Sequence, residues 1–307
     1  MSERYDIVIV GAGTAGLSAA IYAVRSGKSV MVLEEMSYGG QIINTPSVEN
    51  YPGIANVSGF DFAQGLYDQA VGLGAKVAFE SVASVEKTES GFTVKTDSGQ
   101  YEAGALILAT GAKNRTLGME HEAEWVGSGV SYCATCDGAF FKGKEVAVSG
   151  GGNTALEDAI FLSEYCSKVY LIHRRWELRG EKHLQEVLSG RENVEFVLNV
   201  TMKELRGEDG LEAVVVTDKD TGEDRVIPVA GLFVAIGQMP QNERFADLVK
   251  LDDKGYIIAG EDCKSSAEGV FAAGDCRTKE VRQLTTAAAD GAVAALAACA
   301  YLSVSGR

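Results

Sequence analysis

Positive charge is in deficit: 28 Lys and Arg stand against 43 Asp and Glu, a formal net charge of −15. Nucleic acid and anionic membrane would both repel such a surface, so neither is expected as a partner. Long apolar runs are missing too. The run at Asp6–Val10 is too short for a secretory core. The most apolar later stretch, Thr285 to Leu302, is rich in alanine and broken by Asp290, which reads as a packed helix rather than a membrane span. A cytoplasmic location is expected. Histidine is scarce, with three residues in the chain, and the nearest to the close cysteine pair is His121, so a tetrahedral zinc site lacks ligands there. Of six cysteines only Cys133 and Cys136 lie close together, so no disulfide framework is implied; such a pair in a reducing compartment reads as redox or metal.

What remains is an ordinary soluble composition, 46% hydrophobic and 23% charged over 307 residues, a length that suggests two domains. The opening segment predicts a strand at Asp6–Val10, a glycine turn, a helix to about Arg25 and a second strand ending at Glu34. In the turn, Gly11 permits the sharp bend, Gly13 admits a pyrophosphate to the backbone N–H groups, and Gly16 lets the helix approach the strand. Ala15 lies in the same turn. The helix N-terminus then faces the anion, and Glu34 stands where ribose hydroxyls need an acceptor.

The middle of the chain repeats this design. A strand at Glu145–Ser149 meets Gly150-Gly151-Gly152-Asn153-Thr154-Ala155, a helix to about Tyr165, and a strand at Lys168–Ile172. In place of the acid come His173, Arg174 and Arg175, with Arg179 beyond. A carboxylate there would repel a 2′-phosphate, whereas guanidinium groups bind one in bidentate geometry. Each half closes on an apolar strand ending in glycine, Ala105–Gly111 (with Thr110) and Gly231–Gly237. Gly274 and Asp275 end a late strand beside a helix start, which suits a flavin nucleotide and returns the C-terminal segment to the first domain. The fold expected is α/β, with two Rossmann-like three-layer domains. The FAD-binding domain takes residues 1–115 and 243–307; the NADPH-binding domain, residues 116–242, is inserted into it and carries the CxxC.

These motifs together resemble the low-molecular-weight, bacterial-type thioredoxin reductases, a branch of the pyridine nucleotide-disulfide oxidoreductases. Besides the two glycine turns, the resemblance rests on Gly39-Gly40-Gln41, Val48–Gly53, Cys133-Ala-Thr-Cys136-Asp137 and Arg282-Gln283, and it spans the whole chain. It implies FAD held by the first turn with Glu34, Gly40, Gln41, Asn50, Thr110, Gly111, Gly274, Asp275, Arg282 and Gln283. It implies NADPH held by Gly152, Asn153, Thr154, His173, Arg174, Arg175 and Arg179. A homodimer is expected on the same ground, as is alternation between two domain orientations.

A CxxC disulfide forms readily yet remains reducible: one thiolate attacks and the other resolves the mixed disulfide. Asp137 is then a candidate general acid for the leaving thiolate, or simply a turn residue before Gly138. The resemblance gives Cys136 the flavin-facing role and Cys133 the attack on the partner; the residues alone leave both open. The expected function is transfer of reducing equivalents from NADPH through FAD and the dithiol to thioredoxin or a thioredoxin-like protein. The alternatives are a flavin-dependent dithiol oxidase, a reductase of another small-molecule or protein disulfide, and a flavin-binding sensor. Two intact nucleotide motifs beside a dithiol weigh against the oxidase and the sensor.

Overall fold

In the computed structural model, residues 3–45 and 47–305 are described. The chain enters through β1 (Glu3–Val10), turns into α1 (Thr14–Arg25) and returns as β2 (Val30–Glu34). Then come α2 (Gly59–Gly72), β3 (Lys76–Phe79), the hairpin β4 (Val82–Thr88) and β5 (Gly91–Thr96), β6 (Gln100–Leu108) and β7 (Ala112–Asn114). The next stretch holds β8 (Val130–Ser131), α3 (Ala134–Asp137), β9 (Glu145–Gly150), α4 (Asn153–Ser163) and β10 (Lys168–His173). α5 (Lys182–Ser189) and β11 (Val194–Leu198) precede a meander of β12 (Val200–Arg206), β13 (Ala213–Asp218) and β14 (Asp224–Pro228). β15 (Gly231–Ala235), β16 (Gln238–Pro240), β17 (Val270–Ala272) and α6 (Leu284–Ser305) complete the order.

The chain divides into two compact units, Met1–Lys113 with Met239–Arg307, and Asn114–Gln238. The return to the first unit thus falls earlier than position 243. Asn242 explains why: it is fully buried, and its amide donates to the Gly255 and Cys276 carbonyls of the first unit.

In the first unit the sheet runs β3-β2-β1-β6-β5-β4. β6 is its centre: it pairs parallel with β1 on one edge. On the other edge β6 pairs antiparallel with β5 through Gln100–Ala103 and parallel with β17 through Leu106–Leu108. The second half of β1, Ile7–Val10, is an unbroken apolar run because both of its faces are covered. Ile7 and Ile9 pack into one core cluster with α1 and α6, while Val8 and Val10 pack into the opposite one. α6 is long and apolar enough to cross a membrane by length and composition alone. One stripe of it, including Ala294, Ala295, Ala298 and Leu302, belongs to the first of those clusters. It approaches α1 so closely that a Cβ on Gly291 would fall 2.2 Å from the Ala15 carbonyl oxygen.

In the second unit the sheet runs β11-β10-β9-β15-β8, with the β12-β13-β14 meander as a separate sheet. Here too β9 is covered on both sides, with Ala147 in one cluster and Val146 and Val148 in the other. α4 carries Asp158, whose carboxyl is pushed up to about 7 by burial, with Glu157 adding repulsion. A raised carboxyl keeps its proton in the fold after the unfolded chain has released it, so stability falls as pH rises between about 4 and 7. Asp158→Asn should remove that slope. We expect a thermal midpoint several degrees above the parent at pH 8, a smaller gain at pH 5 and none near pH 3; equal midpoints at pH 8 would contradict it.

Candidate active site

The first unit gathers a cradle at the C-terminal ends of β1, β2, β6 and β17, where parallel sheets hold their ligands. Gly11 has φ +106°, and a Cβ there would lie 2.3 Å from the Ala109 carbonyl oxygen. Gly16 is as constrained, 1.9 Å from the Gly11 oxygen. Only glycine brings helix and strand this close. By contrast, the space beside Gly13 is open, its nearest neighbour being the Gly39 oxygen at 3.9 Å. Gly13 caps α1 with no side-chain hydrogen bond and no acid in the first turn, so the helix leaves N–H groups directed at this space.

Glu34 ends β2 with its carboxylate fixed: Oε2 accepts the Ala12 N–H at 2.8 Å and Oε1 the Met36 N–H at 3.1 Å. Gly40, in the left-handed region at φ +66°, lies against Gly13, and the Gln41 amide donates to the Ala112 carbonyl. The Thr110 hydroxyl donates to Asn242 at 2.7 Å, and Gly111 beside it has open space. Ala15 packs against the turn at Gly274, where a Cβ would stand 2.8 Å from the Ala15 methyl. Asp275 follows, with one carboxylate oxygen buried and no donor to it among the described residues. Burial pushes its pKa up, against the pull of Lys279 and Arg282. Arg282 donates to the Asp275 carbonyl and stacks over the Tyr256 ring, while Asn50 reaches Gln283 at 3.3 Å. An uncapped helix start, a fixed acid and a buried oxygen lacking a donor fit a dinucleotide.

The second unit repeats the cradle with a different electrostatic end. A Cβ on Gly150 would lie 2.4 Å from the Ala235 carbonyl oxygen and 2.6 Å from Ala155, the positions that Ala109 and Gly16 hold in the first unit. Gly152, uncapped at the start of α4, has nothing near its missing Cβ. Asn153 and Glu181 bind each other reciprocally at 2.9 Å, and Thr154 is exposed. Arg174, Arg175 and Arg179 are exposed on the loop after β10, and none forms an ion pair with a described carboxylate. His173 stands apart from them: it is buried, with its ring against Gly151 and its Nε2 without a partner among the described residues. Burial, then Arg179 and Arg174, hold it below the usual imidazole range. The structure thus places the His173 ring beneath the turn, apart from the exposed arginines.

Cys133 and Cys136 form a disulfide across α3, with Cα atoms 5.3 Å apart. α3 leads into Gly138, where a Cβ would strike the Tyr165 hydroxyl at 2.1 Å and Leu162 at 3.0 Å. That glycine seats the dithiol segment on α4. Asp137 is half-buried, and that burial holds its carboxyl above the usual range while the Ser131 hydroxyl donates to it at 2.6 Å. Ser131 also accepts the Cys133 N–H at 3.1 Å, joining acid and cysteine through one side chain. A carboxyl raised above its usual range by burial is better suited to protonating a departing thiolate than an ordinary one.

Cys166, Cys263 and Cys276 are buried free thiols, each raised in pKa by that burial. Among the described residues no group of three or more His, Cys, Asp or Glu is placed to hold a metal ion. Three site features escaped the motifs: Ser131, Asn242 and a buried cluster of Asp290, Arg277 and Lys279 under the Gly274 turn. Asp290 alone had a signal, as the one charge in the apolar stretch.

The comparisons agree with this geometry. A profile of the family described as pyridine nucleotide-disulphide oxidoreductase matches residues 5–291. A thioredoxin reductase of Treponema pallidum is 44% identical over 98% of this chain and 98% of its own. One from Bacillus subtilis is 41% identical over 96% and 94%. Among solved structures, a thioredoxin reductase from Streptococcus pyogenes aligns with TM-score 0.94 at 38% identity, covering 99% of this chain and 100% of that one. With two glycine-turn cradles, a CxxC disulfide and a profile match over nearly its whole length, the chain belongs to the pyridine nucleotide-disulphide oxidoreductase family.

Proposed function

We propose that this protein is an NADPH-dependent flavoprotein thioredoxin reductase. The observation that carries the reading is the Cys133–Cys136 disulfide, with a half-buried acid beside it, on a unit that also holds an arginine-ended nucleotide cradle. The first unit's cradle holds FAD, with Glu34 accepting from ribose hydroxyls and the α1 N-terminus facing the pyrophosphate. The Arg174, Arg175 and Arg179 guanidiniums bind the 2′-phosphate of NADPH. FAD held in the first cradle would supply the two-electron chemistry that links NADPH to the disulfide. Of the resulting dithiol, the Cys133 thiolate attacks the disulfide of thioredoxin and displaces one of its sulfurs, which takes the Asp137 proton. Cys136 then attacks Cys133, releases the second thioredoxin sulfur and restores the disulfide.

Two further features belong to this reading. Tyr22, Val293, Leu296 and Val304 leave apolar surface exposed on α1 and α6, a face suited to a second copy of the chain. Buried thiols kept reduced suit the cytoplasm. The test is an anaerobic titration of the purified protein. A yellow chain that bleaches with one equivalent of NADPH, regains colour on oxidised thioredoxin, and scatters light as a dimer supports the proposal; a colourless chain, or one whose colour NADPH leaves untouched, rejects it.

A further inference from the structure

The cluster beneath the Gly274 turn is built around one carboxylate. Asp290, on α6, is buried, and its Oδ2 accepts three donors: the Gly274 N–H at 2.9 Å, the Arg277 Nε at 2.8 Å and the Lys279 Nζ at 2.9 Å. Its Oδ1 takes the Arg277 Nη2 at 2.8 Å, so the guanidinium is gripped at two points. The remaining Arg277 nitrogen, Nη1, donates to the carbonyls of Ala259 and Thr278. Arg277 and Lys279 thus share one buried carboxylate, and the exposed Glu261, 3.7 Å from Arg277, supplies the second counter-charge.

The donors come from both sides of Asp275. Gly274 precedes it, held in the left-handed region at φ +78° with its missing Cβ against Ala15. Arg277 follows two residues on. The Asp275 carboxylate receives no hydrogen bond from the cluster and keeps a buried oxygen without a donor among the described residues. A carboxylate present only to neutralise Arg277 would need no backbone donor from Gly274. We propose that Asp290 is a positioning residue for Asp275: by gripping the backbone before it and the side chain after it, Asp290 holds the Asp275 carboxylate rigid and unpaired for a hydroxyl of the bound dinucleotide. The inference rests on the flavin reading of the first cradle.

The test is a double-mutant cycle read as FAD affinity of the apoprotein, from quenching of flavin fluorescence, with no turnover involved. Asp275→Asn is expected to weaken binding about tenfold, the size of a hydrogen bond to a charged acceptor. Asp290→Asn should weaken it to a similar degree. The pair together should be no weaker than the worse single variant, because both lose the same contact. Effects that multiply would assign Asp290 a merely structural role and overturn the proposal, as would an unchanged affinity in either single variant. An Asp290→Asn chain that fails to fold is replaced by Arg277→Lys, which keeps the buried cation and gives up the two-point grip, with the same coupling expected. A parent apoprotein that takes up no FAD would sink the flavin reading and this role with it; binding with multiplicative effects would sink the role alone.

Discussion

Replacing either cysteine of the pair should cost at least about 10³-fold in thioredoxin-dependent turnover while the flavin still bleaches with NADPH. The size follows from the nature of the step: members of a nucleophilic pair act as a unit, and removing one removes most of what the pair achieves. The retained bleaching follows from the division of labour, because neither the arginine-ended loop nor the glycine turns involve sulfur. The two single variants should also differ from each other. With Cys136→Ser, the attacking Cys133 has no resolving partner, and a mixed disulfide with thioredoxin should accumulate on non-reducing gels. If the Cys133→Ser chain traps the partner instead, the roles are reversed. If bleaching is lost in both variants, sulfur participates in nicotinamide chemistry and the relay is wrong.

The second large effect concerns the nucleotide. Arg174 and Arg175 are exposed, with no ion pair among the described residues, so their positive charge is available to a phosphate. Each charge-assisted hydrogen bond contributes about 1.5–3 kcal/mol, and about 1.4 kcal/mol is a factor of ten. Arg174→Ala with Arg175→Ala should therefore lower kcat/KM for NADPH by about 10²-fold or more. NADH, which lacks the 2′-phosphate, should change little, so the preference between the two collapses. The Michaelis constant should carry most of the effect, since the phosphate is held alike in ground and transition states. An equal fall for both nucleotides would show that the arginines shape the loop rather than read the phosphate.

Much of this was legible in the sequence because its causes are local. A glycine at 11 or 150 is dictated by a carbonyl about 2.3 to 2.4 Å from where a Cβ would sit, and that demand appears as a spaced pattern of one residue type. An apolar run such as Ile7–Val10 declares a strand covered on both faces for the same reason. What escaped depends on distant partners. Asn242 serves Thr110 from 132 positions away, and nothing near either residue announces it. Ser131 is an ordinary residue until the fold sets it beside Asp137. His173 shows a subtler limit: it shares its motif with the arginines, yet successive residues at a strand end point to opposite faces. The pattern picked out the loop and could not say which of its members turns inward.

The buried free thiols carry a consequence of another kind. A catalyst that exchanges disulfides all its life is surrounded by electrophilic sulfur, its own included. Cys166 is pushed up to about 11 and Cys263 to about 12 by burial. At neutral pH such thiols are ionised about once in 10⁴ to 10⁵ molecules, against a few per cent for an ordinary cysteine. Exchange runs through the thiolate, so each buried sulfur is chemically silent toward the Cys133–Cys136 pair. Burial here works as insulation: it keeps Cys166, Cys263 and Cys276 out of the current that runs through the Cys133–Cys136 pair.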